Sequence, residues 1–98
     1  MMKVRWLAGA RDDLESIGRY IAQDNPAAAY RTVAGIEAAV NLLEHHPHMG
    51  RDGRVGKTRE LVVTGLPYII PYYLYQNEIR ILAVMHEARK WPDDFSTH

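Results

Sequence analysis

Cations, one histidine and several tyrosines in the second half of this chain have the types and spacing to do chemistry. Gly50-Arg51-Asp52-Gly53-Arg54-Val55-Gly56-Lys57 leads through Thr58 into Arg59-Glu60-Leu61-Val62-Val63. Arg51, Arg54, Lys57 and Arg59 outweigh Asp52 and Glu60, so positive charge is locally in excess. Such groups can contact phosphates by displacing counterions. Arginine adds planar, two-pronged recognition, and the interleaved glycines let backbone approach a ligand closely. The same pattern also reads as a solvated surface loop. His86, followed by Arg89 and Lys90, offers a second chemistry. A histidine at a strand end can act as general acid or base, and Arg89 or Arg59 can stabilise charge developing on a scissile phosphate. Those groups are the minimum for cleaving RNA through attack by its own 2′-hydroxyl. The alternative is that His86 hydrogen-bonds a neighbouring carbonyl and does nothing else.

His45, His46 and His48 are close in sequence but have no carboxylate or cysteine at a ligand-like spacing, so no metal site is expected. Histidine near a helix C-terminus is favoured by the dipole when protonated. In a regular strand Tyr68 and Tyr72 share one face and Tyr73 and Tyr75 the other, one pair packing on helices and the other free to stack on bases or anchor a partner. No Walker loop, dinucleotide fingerprint, zinc pattern or nucleophile elbow is present, so ATP- and NAD-dependent chemistry has no basis here and no cofactor is expected.

The elements that must position these residues follow from periodicity. Lys3 to Leu7 is a short strand with Val4 and Trp6 on one side. Leu14, Ile17 and Ile21, with Ala10 before them, trace the apolar stripe of a helix whose first turn is expected to hold Asp12 and Asp13. Asp24-Asn25-Pro26 breaks that helix and starts another, with Asn25 as N-cap and Pro26 at the first helical position. The second helix should run to about His45, with Val33, Ile36, Val40 and Leu43 in line. Its many alanines raise helix propensity and permit close approach of the first helix. Residues 50–57 hold three of the seven glycines and are expected to be mobile. Strands then follow at Arg59 to Val63, Tyr68 to Tyr75 and Glu78 to His86, the last two joined through Gln76-Asn77. Pro71 cannot donate to a ladder, so a bulge, or an N–H direction facing solvent, is expected there. The order β-α-α-β-β-β implies an α+β domain spanning residues 1–98: an N-terminal strand, a helical hairpin and a three-stranded antiparallel meander, with the helices on one face of the sheet.

Composition narrows the function classes. With 98 residues, 47% hydrophobic and 24% charged, the chain reads as one ordinary globular domain. No apolar run approaches the ~20 residues that cross a bilayer, and the first residues lack the apolar core of a signal peptide. The absence of cysteine fits a cytoplasmic location. Net charge is zero, so any claim of nucleic-acid binding must rest on local charge.

A family resemblance runs through both halves. Asp13-Leu14, Ile17, Tyr20-Ile21-Ala22 and Asn25-Pro26-Ala27-Ala28-Ala29 carry it in the first. Gly50-Arg51, Gly53-Arg54, Arg59-Glu60-Leu61-Val62-Val63, Pro67-Tyr68-Ile69-Ile70, Tyr72, Ile79, Ile81-Leu82, Val84, His86, Ala88 and Trp91-Pro92 carry it in the second. From about Val4 to Pro92 the chain resembles the RelE/ParE superfamily of type II toxin–antitoxin toxins, on the ParE-like side, often labelled plasmid stabilisation proteins. The resemblance implies a bacterial toxin that arrests growth when free and is neutralised by a cognate antitoxin encoded beside it, meeting promoter DNA only through that antitoxin. A homodimer or a heterotetramer with the antitoxin is compatible with it. Members divide by target: some cut mRNA in the ribosomal A site, others poison DNA gyrase. The nuclease members usually carry an arginine in the strand matching Tyr68 to Tyr75, where this chain has Ile69 and Ile70, and no tyrosine follows Tyr75. The resemblance therefore leans to gyrase, with Arg51, Arg54, Lys57, Arg59, Arg89, Lys90 and Trp91 as target-binding residues. The alternatives are a ribosome-dependent endoribonuclease using His86, Arg89 and Arg59, and a non-toxic protein-binding module.

Overall fold

The computed structural model describes residues 1–88; Arg89, Lys90 and Trp91 lie outside the described residues. Strand β1, Lys3–Trp6, leads into α1, Ala8–Ala22, and α2, Pro26–Leu42, which pack as a helical hairpin. Asn25 caps α2 as its position implies, its side-chain oxygen accepting the Ala28 N–H at 3.0 Å, with Pro26 opening the helix. Gly18 is a tight contact between the helices, since a Cβ there would stand 3.2 Å from Val33. Two boundaries differ from expectation. α1 starts at Ala8 from an extended Leu7, so Asp12 and Asp13 fall beyond its first turn. α2 ends at Leu42, and successive turns carry the chain through His46 to Gly50.

Five further strands follow: β2 (Arg51–Asp52), β3 (Arg59–Val62), β4 (Tyr68–Tyr75), β5 (Glu78–Ile81) and β6 (Met85–His86). The sheet runs β1-β5-β4-β3-β2, with β6 also beside β4. Among the described residues only the β1–β5 pairing is parallel; β3, β4 and β5 are the expected antiparallel meander. The β4–β5 turn places Gln76 at φ 48° and Asn77 at φ 63°, the two left-handed residues that a tight hairpin of this hand requires. Within residues 50–57, expected as a loop, Arg51 and Asp52 join the sheet as β2 beside β3.

The third meander strand is not continuous. Tyr72 pairs with Ile81 and Tyr68 with His86, so four steps along β4 are matched by five along the partner. One extra residue is accommodated between β5 and β6, opposite Pro71, which bears out the expected bulge. Leu82 N–H reaches the Pro71 carbonyl at 2.9 Å, and the displaced Val84 N–H is taken by Asp13 Oδ2 of α1, also at 2.9 Å. Asp13 thus closes a sheet irregularity rather than a helix end.

Strand alternation directs Val4, Trp6, Leu61, Ile70, Tyr72, Leu74, Ile79 and Ile81 into one face, where they meet Ile36, Val40 and Leu43 from α2 and Ala10 from α1. Ile36, Val40, Leu43, Ile70, Ile79 and Ile81 are fully buried, each contributing about 1.5–3 kcal/mol relative to an exposed side chain. The opposite face carries Lys3, Arg5, Glu78, Arg80, Tyr73 and Tyr75.

Candidate functional site

The basic segment is held from two sides. On the helix side, the buried Tyr72 hydroxyl accepts the Gly50 N–H at 2.9 Å and donates to the Pro47 carbonyl at 2.8 Å. Burial raises the Tyr72 pKa, while the Gly50 N–H and the nearby Arg59 charge pull it back. Gly50 must be glycine: an added Cβ would lie 2.6 Å from the Tyr72 ring. Arg59 supports the same chain reversal, its Nη1 donating to Gly50 O at 2.8 Å and His48 O at 3.2 Å.

On the other side stands Glu60, 2% exposed. Its Oε1 accepts from Arg51 Nη2 at 3.1 Å and Nε at 3.3 Å. Its Oε2 accepts the Arg54 backbone N–H at 3.2 Å and lies 3.5 Å from Arg54 Nε. Arg51, Arg54 and Arg59 are therefore all partly spent on folding the segment that carries them. Lys57 is different. It sits at φ 68° in the left-handed region and, among the described residues, enters no ion pair. Lys57 and Arg59 border an open cavity of about 390 Å³ that also meets His48, Asp52 and Leu74. This pocket can receive an acidic group of a partner, with Lys57 the available charge.

His86 stands apart from these cations. Arg59 pairs with Tyr72 on one flank of β4, and His86 pairs with Tyr68 on the other flank, four residues away or about 13 Å along the strand. The exposed His86 Nδ1 accepts the Ala88 N–H at 3.2 Å, and its ring meets Tyr68 edge-on at 5.8 Å. The alternative reading, a bond to a neighbouring carbonyl, is met instead by a bond from a backbone N–H, with Nδ1 as the acceptor. Ile69 and Ile70 are both buried. His86 and Arg59 are thus not brought together, and Arg89, the third expected member, lies outside the described residues. Among the described residues no group of histidines and carboxylates is arranged to hold a metal.

Two further surfaces emerge, one not foreseen and one foreseen only in its tyrosines, Tyr73 and Tyr75. Between α2 and β3 a cleft of about 420 Å³ gathers Leu42, Met49 and Val62, which are 54%, 45% and 45% exposed. β2 reaches along β3 only to Glu60, so Leu61 and Val62 have no strand on their outer edge among the described residues. The second surface is on the open face of the sheet. There the Arg80 guanidinium lies 4.6 Å from the Tyr75 ring and 6.0 Å from the Tyr73 ring, with Nε 3.1 Å from Glu78 Oε1. Tyr73 and Glu78 both raise the Arg80 pKa, with Tyr73 the larger cause. The Gln76-Asn77 turn was the available signal: a two-residue hairpin turn fixes Tyr75 opposite Glu78 and Tyr73 opposite Arg80.

Among the described residues no helix is long and apolar enough to cross a membrane. Residues 4–91 match the family model described as "ParE toxin of type II toxin-antitoxin system, parDE". The chain is 47% identical over 90 residues to the "Putative toxin Y4kP" of Sinorhizobium fredii, covering 92% of this chain and 93% of that one. It is 37% identical over 89 residues to "Toxin RelE2" of Caulobacter vibrioides, covering 91% and 99%. A solved structure titled "Chromosomal ParDE TA system from P. aeruginosa" superposes with a TM-score of 0.79 at 28% identity, covering 88% of this chain and 96% of that one. The match along nearly the whole length, with the same α+β architecture, places this chain in the ParE toxin family of type II toxin–antitoxin systems.

Proposed function

We propose that the free chain arrests growth in the cytoplasm by binding and inhibiting DNA gyrase, and that a cognate antitoxin encoded beside it neutralises it. The separation of His86 from Arg59 is the observation that carries this reading. Cutting RNA needs a proton carrier and a charge stabiliser converging on one phosphate. Here they flank β4 on opposite sides, and the strand between them buries Ile69 and Ile70. A toxin that acts by binding needs no proton transfer of its own, since its target already does the chemistry. Lys57 and the half-exposed Arg51 and Arg54 supply the contact charge.

The cleft between α2 and β3 supports the antitoxin half of the reading. Leu42, Met49 and Val62 offer apolar surface that a segment folding on binding can bury, and the free edge of β3 can receive it as an added strand. Expression of this chain alone should stop growth and leave DNA damage, and co-expression of the adjacent small gene should restore growth. Continued growth, or arrest with fresh cuts in ribosome-bound mRNA and intact DNA, contradicts the proposal.

A further inference from the structure

The open face of the sheet carries charge and aromatic surface that the gyrase reading does not use. Register fixes two rows across it: Lys3–Glu78–Tyr75 and Arg5–Arg80–Tyr73. Two arginines stand directly opposite each other on neighbouring strands, an arrangement that costs energy without a shared counter-charge. Among the described residues only Glu78 answers them: Oε1 is 3.1 Å from Arg80 Nε and 3.9 Å from Arg5 Nη1. Across these two rows, among the described residues, three cations face one carboxylate in a chain whose formal net charge is zero.

Arg80 is also held in place. The rings of Tyr73 and Tyr75 and the Glu78 carboxylate fix its guanidinium before any partner arrives, while Arg5 and the half-exposed Tyr75 remain reachable. A pre-set arginine beside accessible tyrosine is the composition of an interface hot spot. Leu74 alternates with Tyr73 and Tyr75 along β4, so the cavity beside Lys57, which it borders, opens from the other face of the sheet. The Lys57 cavity and the Arg80 face can therefore serve different partners, with Arg51, opposite Glu60 and Pro71, standing on the Arg80 face.

We propose that this face docks a carboxylate-bearing segment of the cognate antitoxin, an aspartate or glutamate side chain taking the place that Glu78 fills alone between Arg5 and Arg80. The proposal rests on the antitoxin reading above and names a contact chemically distinct from the apolar cleft. A polyanionic nucleic acid fits less well, because a neutral chain lacks the wider positive field that gathers one.

The test is a titration of this chain with the separately purified product of the adjacent gene, comparing wild type, Arg80→Ala, Arg80→Lys and Tyr75→Ala. Wild type should bind, with an affinity that falls as salt is raised. Arg80→Ala should weaken binding tenfold or more and flatten the salt dependence, with Arg80→Lys intermediate. Tyr75→Ala, at a half-exposed position, should also weaken binding and serves if Arg80→Ala fails to fold. Failure of the wild type to bind sinks the antitoxin reading itself. Wild-type binding with every folded variant within twofold of it overturns this inference and leaves that reading standing. Saturable binding of oligothymidine that vanishes in Arg80→Ala would overturn it in favour of nucleic acid.

Discussion

The two arginine groups of this molecule are used in opposite ways. Arg51, Arg54 and Arg59 turn inward, onto a buried carboxylate and the carbonyls of the chain reversal that carries them. Arg5 and Arg80 share one oxygen of Glu78 on an open face, with tyrosine rings bracketing Arg80. The first group is numerous, and much of its charge is committed to folding. The second is small, and its charge is incompletely answered. Counting cations in a sequence therefore overstates the charge a loop can present and misses charge that strand register assembles.

The inward group is broken most severely at Glu60. Glu60→Ala removes the carboxylate that holds Arg51 and Arg54; removing one partner of a buried pair typically costs 3–5 kcal/mol, and half-exposed arginines reduce that. A loss of about 2 kcal/mol should appear as a lowered urea midpoint. Replacing Arg51, Arg54 and Lys57 together should also loosen the segment, because two of the three anchor it.

Tyr72→Phe comes next. It leaves Gly50 N–H and Pro47 C=O without the shared hydroxyl, at a cost of about 1–2 kcal/mol. Its pH signature is distinct. The folded-state pKa of Tyr72 is raised above its ordinary value of 10.0, so this residue's contribution is fully present below pH 10.0 and is lost as pH rises through the folded value. Unfolding curves should show that alkaline decline in wild type and a shallower one in Tyr72→Phe.

Lys57→Ala isolates the loop's available charge. Stability should change by less than ~0.5 kcal/mol, while inhibition of the target weakens at equal soluble level. Undiminished toxicity in Lys57→Ala would return the loop to a solvated surface. The smallest effect belongs to His86→Ala, which should leave growth arrest unchanged, because an exposed side chain that accepts one local N–H has little to lose.

Local signals carried most of the fold. Asn25-Pro26 specified a helix start, Pro71 a bulge and Gln76-Asn77 a tight turn, because each acts through its own backbone constraints. What stayed hidden depends on distant pairing. Asp13 reads as a helix-start residue until Val84 arrives from the other end of the chain. Arg51 and Arg54 read as free until Glu60 is known to be buried between them. The β2 strand was invisible because two residues carry no period. The Arg80 face was legible in principle, since a two-residue turn sets the β4–β5 register. Its link to Arg5 was not, because the parallel β1–β5 pairing joins residues with more than seventy positions between them.

The central claim is that this chain inhibits by binding, and purified DNA gyrase tests it most directly. Supercoiling should fall as the free chain is added, recover when the antitoxin is supplied in equal amount, and fall just as far with His86→Ala. Unaffected supercoiling, together with site-specific cleavage of ribosome-bound mRNA that disappears in His86→Ala, would contradict the account.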